Sequence, residues 1–186
     1  MHLSFRPFSF LLVGCFVLIL ALPAAAQSSQ CPVTQPSASR FQVPEGFPAP
    51  QNPFAFYHGT PELWVLLTPG PWSELPIWDV GMKQKVVWYT KLYSRWAQMS
   101  GAEPLPKLEI EGRRLDGNAP LLYVEGANPS HAPGMGYFIM SGVNFPTSGC
   151  WEVTGRLGNA TTTFVVEIGE SHHYGPNGQP IQTQGE

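Results

Sequence analysis

Charge is scarce in this chain: 10 Lys and Arg and 13 Asp and Glu are spread over 186 residues, for a formal net charge of −3. No basic block occurs, so the electrostatic footprint that holds a polyanion is missing and nucleic acid is excluded as a partner. Only three cysteines are present, too few for a small scaffold held together by many bridges. A clean helical stripe is missing as well. In MKQKVVWYTKLYSRW, residues Val87, Lys91, Ser94 and Arg95 mark out no apolar helix face, whereas Val86, Trp88 and Thr90 alternate with Val87, Tyr89 and Lys91 as a strand would. No G-x-S-x-G context presents a nucleophilic serine, and no cofactor fingerprint occurs. The expectation is a protein that is not an enzyme and carries no cofactor.

What is present is punctuation and aromatic mass. The chain has 20 Pro and 19 Gly, with 11 Phe, 6 Trp and 6 Tyr. Pro and Gly are the poorest residues for helix interiors, so the composition favours short strands joined by turns.

Residues 1–26 begin with Arg6 and little other charge, continue as an apolar run from Phe8 to Leu22, and end in Pro23 and Ala24-Ala25-Ala26 before the polar Gln27. This is the layout of a secretory signal peptide cleaved near Ala26/Gln27. A retained anchor would need about 20 apolar residues, more than this run supplies. Leu12-Val13-Gly14-Cys15 resembles a bacterial lipobox, which would make Cys15 an acylated N-terminus. Phe16 to Leu22 would then follow the anchor as an apolar tail where a solvated tether is expected, so cleavage is the preferred reading. The mature protein is then extracytoplasmic, periplasmic or secreted. It meets a membrane only through the signal peptide, or through Cys15 if lipidated.

Cys31 and Cys150 survive that cleavage into an oxidising compartment, and the simplest outcome is one disulfide between them. If Trp151 and Val153 face the core, Cys150 points the other way. The bridge then clips the N-terminal segment across an outer face or edge.

The remaining chain divides into an extended Pro/Ser/Gln-rich arm (27–53) held at Cys31, a β-domain (54–169) and a polar, disordered tail (170–186). Strands are expected at 54–58, at ELWVLLT (62–68, apolar on both faces and therefore central), and from MKQK to about Tyr93. Others follow at KLEIE (107–111), LLYVEG (121–126) and 137–143. Trp72 to Val80 reads as a turn-rich link and Asn128 to Gly136 (NPSHAPGMG) as a loop. The clearest signal is FPTSGCWEVTGRLGNATTTFVVEI. Trp151 and Val153, and then Thr162, Phe164, Val166 and Ile168, alternate with more polar residues on either side of Gly158-Asn159, the signature of a hairpin with a tight turn. Seven or eight such strands make an all-β sandwich.

The end of the chain resembles the last two strands of immunoglobulin-like domains, and this resemblance implies an immunoglobulin-like β-sandwich. The run from Phe54, with YHGTPELWVLL, GRRLDG and FPTSGCWEVTG, is also similar to uncharacterised secreted bacterial proteins that end in an FPxxGCWE–hairpin–FVV pattern. That likeness covers about two-thirds of the chain and implies a bacterial, exported protein with no assigned activity.

The candidates for chemistry each have a bland counterpart. Ser130-His131 and His172-His173 show no carboxylate orienter, so neither makes a triad. His58, His131 and Met135, with Met140 nearby, are of the residue types that hold copper outside the cytoplasm; the counterpart is core and surface packing. Trp72, Trp78 and Trp96 lie near turns and are candidates to stack on a sugar, whereas Trp64, Trp88 and Trp151 read as core. Arg113 and Arg114 in GRRLDG are candidates for an anion or partner, against a plain loop ion pair with Asp116. Asn159-Ala160-Thr161 is a formal glycosylation sequon that matters only in a eukaryotic secretory pathway. The preferred expectation is an exported, non-enzymatic binding or structural module whose partner is a protein or envelope component. A copper carrier and a carbohydrate-binding module are its alternatives.

Overall fold

The computed structural model describes residues 31–37, 43–78, 81–92 and 107–170. Residues 1–26, read as a signal peptide and containing Cys15, lie outside the described residues, as do Tyr93, Trp96, residues 171–186 with His172-His173, and the side chain of Trp78. Among the described residues nine strands run in chain order: β1 (Phe56–Gly59), β2 (Trp64–Leu67), β3 (Ile77–Trp78), β4 (Gly81–Tyr89), β5 (Leu108–Arg114), β6 (Tyr123–Ala132), β7 (Gly136–Phe145), β8 (Gly149–Leu157) and β9 (Ala160–Ile168). All named pairings are antiparallel. One sheet has the order β1-β2-β4-β7-β6, with the two-residue β3 set against β4; the other has the order β5-β8-β9. The chain crosses between sheets three times, from β4 to β5, from β5 to β6 and from β7 to β8.

The two sheets pack as a sandwich because their alternating apolar residues meet between them. Trp151, Val153 and Leu157 on β8 and Phe164, Val166 and Ile168 on β9 are buried against Val65, Val86, Trp88, Ile139, Val143 and Phe145 of the larger sheet. The hairpin expected at 149–168 is present in the expected register. Leu157 pairs with Ala160 across Gly158-Asn159, and Gly158 takes a φ of +57° that a side chain would oppose. Aromatic rings thread this core, with Trp72 6.2 Å from Phe145, Phe145 5.8 Å from Trp151, and Trp88 5.8 Å from Phe164. The Trp88 indole N–H donates to Ser141 Oγ at 3.1 Å, and that of Trp151 to the Thr147 carbonyl at 3.0 Å, so neither buried donor is orphaned.

Three expectations are corrected. The loop read at Asn128–Gly136 is for the most part strand. β6 runs on through Ala132 because β7 supplies partners for every residue from Asn128 to Ala132, and only Pro133–Met135 is left to turn. The Gly/Pro content that signalled a loop is accommodated by placing Pro129 on an edge strand, where its missing N–H costs little, and by Gly134 and Gly136, whose positive φ values serve the turn. The link after Trp72 also carries structure, since Trp72 bridges in parallel to Ile168 and β3 pairs with β4. The strand from Gly81 ends at Tyr89, ahead of the expected Tyr93.

The cysteines are joined, Cys31 to Cys150. Cys150 is buried yet stands apart from the inter-sheet core, which takes Trp151 and Val153 from the same strand. The bridge thus clips the N-terminal segment to the small sheet from outside. That segment is held at more than its cysteine. Thr34 exchanges two bonds with Val165 on the outer side of β9, its N–H donating to the Val165 carbonyl and its Oγ1 accepting from the Val165 N–H. Further on, Phe47 packs on Tyr57 and Tyr89 at ring distances of 6.0 and 5.5 Å. The arm therefore roofs a second aromatic cluster on the outer face of the larger sheet, which also includes Phe138, 6.2 Å from Tyr89.

Candidate functional site

The placement of the sequence candidates separates them. His58 stands on β1 and His131 on β6, opposite edge strands of the five-strand order. Four strand spacings of about 4.8 Å put them roughly 19 Å apart, beyond the reach of one ion bound at about 2 Å. The His58 Nε2 lies 2.9 Å from the Thr163 carbonyl of the other sheet. His131 instead lies 4.5 Å from the Tyr137 ring. Met135 sits in the turn after β6, where its carbonyl accepts from the Tyr89 hydroxyl at 3.2 Å. By strand alternation Met140 faces the opposite side of the sheet from Tyr137 and His131. The His58–His131–Met135 grouping is therefore not assembled by the fold. Among the described residues no three His, Cys, Asp or Glu side chains come together.

Trp72 does not offer a surface ring. It is 7% exposed, because its backbone extends the edge of β9 (its N–H donates to the Glu167 carbonyl at 2.8 Å) and this turns the indole inward onto Phe145 and Phe164. Trp88 and Trp151 are buried as expected, whereas Trp64 is only partly buried and belongs to the outer face, opposite Tyr89. Trp96 and the ring of Trp78 lie outside the described residues. Among the described residues the exposed large apolar side chains are others: Phe54, Leu92, Leu115, Leu121, Tyr123 and Tyr137.

Arg113 and Arg114 are both paired. Arg113 Nε donates to Glu152 Oε1 at 2.8 Å, across the rung that joins β5 to β8. Arg114 Nε donates to Asp116 Oδ1 at 2.7 Å, and its Nη1 to Thr147 Oγ1 at 3.2 Å, tying the β5–β6 turn to the loop before β8. The hydrogen bond from Arg114 is the main reason that the Asp116 carboxyl is held below its ordinary value of 3.8. Arg156 Nη2 lies 2.6 Å from Glu111 Oε1, and that hydrogen bond likewise lowers the Glu111 carboxyl from 4.5. The outer face of the small sheet is thus a ladder of alternating charge, with Glu111, Arg113, Glu152 and Arg156 on facing strands.

Two clefts accompany these features. One, of about 440 Å³, follows β5: Ile110, Gly112, Leu121 and Leu122 line it on one side, and Glu111, Arg113, Glu152 and Thr154 on the other. The second, of about 300 Å³, is a polar trough over Gly142 on the outer face of the larger sheet, with Lys83, Lys85, Glu125, Asn128 and Ser130 around it. Lys83 bonds Glu125 across it, which lowers the Glu125 carboxyl from its ordinary 4.5. At the far end of that face, burial followed by the neighbouring Tyr89 pushes the Tyr57 hydroxyl well above its ordinary 10, and burial raises Tyr89 in turn. Tyr57 donates to the Pro48 carbonyl at 2.8 Å, a bond from the arm that only the protonated hydroxyl can make.

Sequence patterning missed the β5 cleft and the Tyr57–Tyr89 pair. The isolated Gly112 within an alternating strand was the one local sign of a close approach there, since a Cβ at that position would collide with the Leu122 side chain. The chain matches no protein-family model, no curated protein and no solved structure.

Proposed function

We propose that the protein is an exported, non-enzymatic binding module of the bacterial envelope, built on an immunoglobulin-like sandwich and engaging a protein or envelope component through one end of it. Strand order supports the finer fold assignment. Setting the extra strands β1 and β3 aside, β2-β4-β7-β6 and β5-β8-β9 correspond in order and connection to the A-B-E-D and C-F-G sheets of constant-type immunoglobulin domains. Antibody domains join strands B and F by a buried disulfide. Here Trp88 of β4 and Gly155 of β8 meet at that junction, and the bridge is moved to the arm.

The observation that carries the binding reading is the gathering of turns at one end. The β1–β2 turn (60–63), the β6–β7 turn (133–135) and the Gly158-Asn159 turn all lie there. Trp64 pairs with Tyr89, Ile139 with Trp88, and Thr162 Oγ1 donates to the Leu63 carbonyl at 2.6 Å. The β4–β5 connection leaves and returns at the same end, since Leu108 pairs with Leu157. In antibody variable domains the B–C and F–G loops of this end carry recognition. Loops on a rigid sandwich change sequence without disturbing the core, which suits them to contact a partner. Export is supported by the signal peptide read at 1–26 and by the Cys31–Cys150 bridge, which persists in oxidising compartments.

The test places a photo-crosslinking residue at Asn159 or Pro133, and at Asp116 near the other end, in the full chain exported by a bacterium. Crosslinks to an envelope component from Asn159 or Pro133 and not from Asp116 support the assignment. Equal yields from all three positions, or none, overturn it.

A further inference from the structure

We infer that β5 is the contact through which two copies of this chain pair, edge to edge about a twofold axis at Gly112. The other sheet edges are occupied or defended. The outer side of β9 is covered by Thr34 and Trp72, and β1 is a four-residue strand whose His58 reaches the Thr163 carbonyl. β6 carries a bulge at Glu125/Ala127 and Pro129, which lacks an N–H; both devices discourage edge pairing. β5 has neither a proline nor a bulge, and among the described residues it pairs only with β8.

The direction of its backbone groups follows from one bond. The Leu115 N–H donates to the Cys150 carbonyl, on the β8 side. Antiparallel pairing alternates, so Arg113, Glu111 and Glu109 also face β8, and Ile110, Gly112 and Arg114 turn their N–H and C=O outward. No backbone group of a described residue bonds those three outside the β5–β8 ladder.

A second copy set antiparallel with Gly112 opposite the second copy's Gly112 places Ile110 opposite the second copy's Arg114. Both are outward-facing positions, so the hydrogen bonds can form. The same register sets Glu111 directly opposite the second copy's Arg113, and Arg113 opposite its Glu111, with Cα atoms about 4.5 Å apart. Opposite charges therefore meet twice on the solvent face. The two side chains are 62% and 69% exposed, so each can reach the second copy while sharing the bond it already makes within its own chain, Glu111 with Arg156 and Arg113 with Glu152. On the inward side the two Leu121–Leu122 segments approach each other across the cleft of about 440 Å³. This gives Leu121 a partner, where it is otherwise 80% exposed. The small sheets join into one six-stranded sheet, an isologous contact of the kind a twofold requires.

The charge pattern supplies a test that folding defects cannot imitate. The full mature chain is examined by sedimentation equilibrium over a wide concentration range, with Glu111→Arg, Arg113→Glu, the double variant, and an equimolar mixture of the two single variants. Thermal melts confirm that each variant is folded. In Arg113→Glu, Glu111 faces the second copy's glutamate twice; in Glu111→Arg, arginines face arginines. We expect the wild type to dimerise, each single variant to lose the dimer, and both the mixture and the double variant to recover it. A wild type that stays monomeric throughout, single variants that remain dimeric, or a mixture that fails to recover would each overturn the inference.

Discussion

The Trp88 indole of β4 packs directly over Gly155 of β8, so closely that a Cβ on Gly155 would stand 2.5 Å from the ring atoms Cη2 and Cζ3. The glycine is there for space, not for a special backbone angle, since Gly155 is not among the residues with positive φ. One sheet reaches the other at this point through the largest side chain set on the smallest.

Gly155→Ala should therefore destabilise the fold by about 1–3 kcal/mol, the usual cost of overpacking a closed core. Thr161→Ala, on the exposed side of β9, should stay within about 0.5 kcal/mol of wild type. Urea midpoints at constant slope measure both. Equal midpoints would mean that Trp88 has room to move.

Trp151 is fully buried and its neighbour Glu152 faces the outer ladder. Trp151→Ala should cost about 3–5 kcal/mol, and Glu152→Ala less than about 1 kcal/mol, as for other exposed ion pairs. Comparable losses in the same melts would place the β8 register one residue off.

The bridge closes a long loop, Cys31 and Cys150 being 119 positions apart in the chain. Reduction should cost about 2–4 kcal/mol. Intact-mass analysis of the exported protein should show a chain that begins near Gln27 and takes up no alkylating reagent until it is reduced. Two reactive thiols without reductant would remove the bridge. A chain beginning at an acylated Cys15 would instead establish lipidation.

Acid should weaken the fold through the paired carboxylates. Asp116 and Glu111 have folded-state values below their ordinary 3.8 and 4.5, each chiefly through an arginine hydrogen bond. Such groups contribute fully above those ordinary values, and their contribution is lost as pH falls through the lowered ones. Asp116→Asn should flatten the fall in urea midpoint between neutral pH and acid. An unchanged slope would show that the Arg114 bond adds nothing to stability.

The tyrosines work in the opposite sense. With Tyr57 and Tyr89 raised above 10 by burial, the folded state favours their protonated form. That stabilisation is complete below 10 and lost as pH rises towards the folded values. In an alkaline titration of the phenolate band, Tyr57→Phe should remove only the latest part of the absorbance rise, and Phe47→Ala should bring that part to lower pH. A uniform loss across the curve would contradict the arm's role as a roof.

The sequence alone determined what alternation and turn chemistry write locally: the β8–β9 hairpin, the inward Trp151 and outward Cys150, and a β2 flanked by strands on both sides, though the middle of the sheet belongs to β4. Reading Cys15 as part of a signal peptide left Cys31 and Cys150 as the one pair to join, and they are joined. What it left undetermined depends on partners far along the chain. Residues 128–132 look like loop until β7 offers its edge. Trp72 looks exposed until its backbone joins Ile168, 96 positions away by the chain numbering. Phe47 has no role until Tyr57 and Tyr89 are brought beneath it, and Gly155 has none until Trp88 arrives from the other sheet. Side-chain period is set by each strand's own geometry, so it can be read from neighbours in sequence. Which strands pair, which edges stay open and which rings meet are set by contacts between distant segments, and only the tertiary structure decides them.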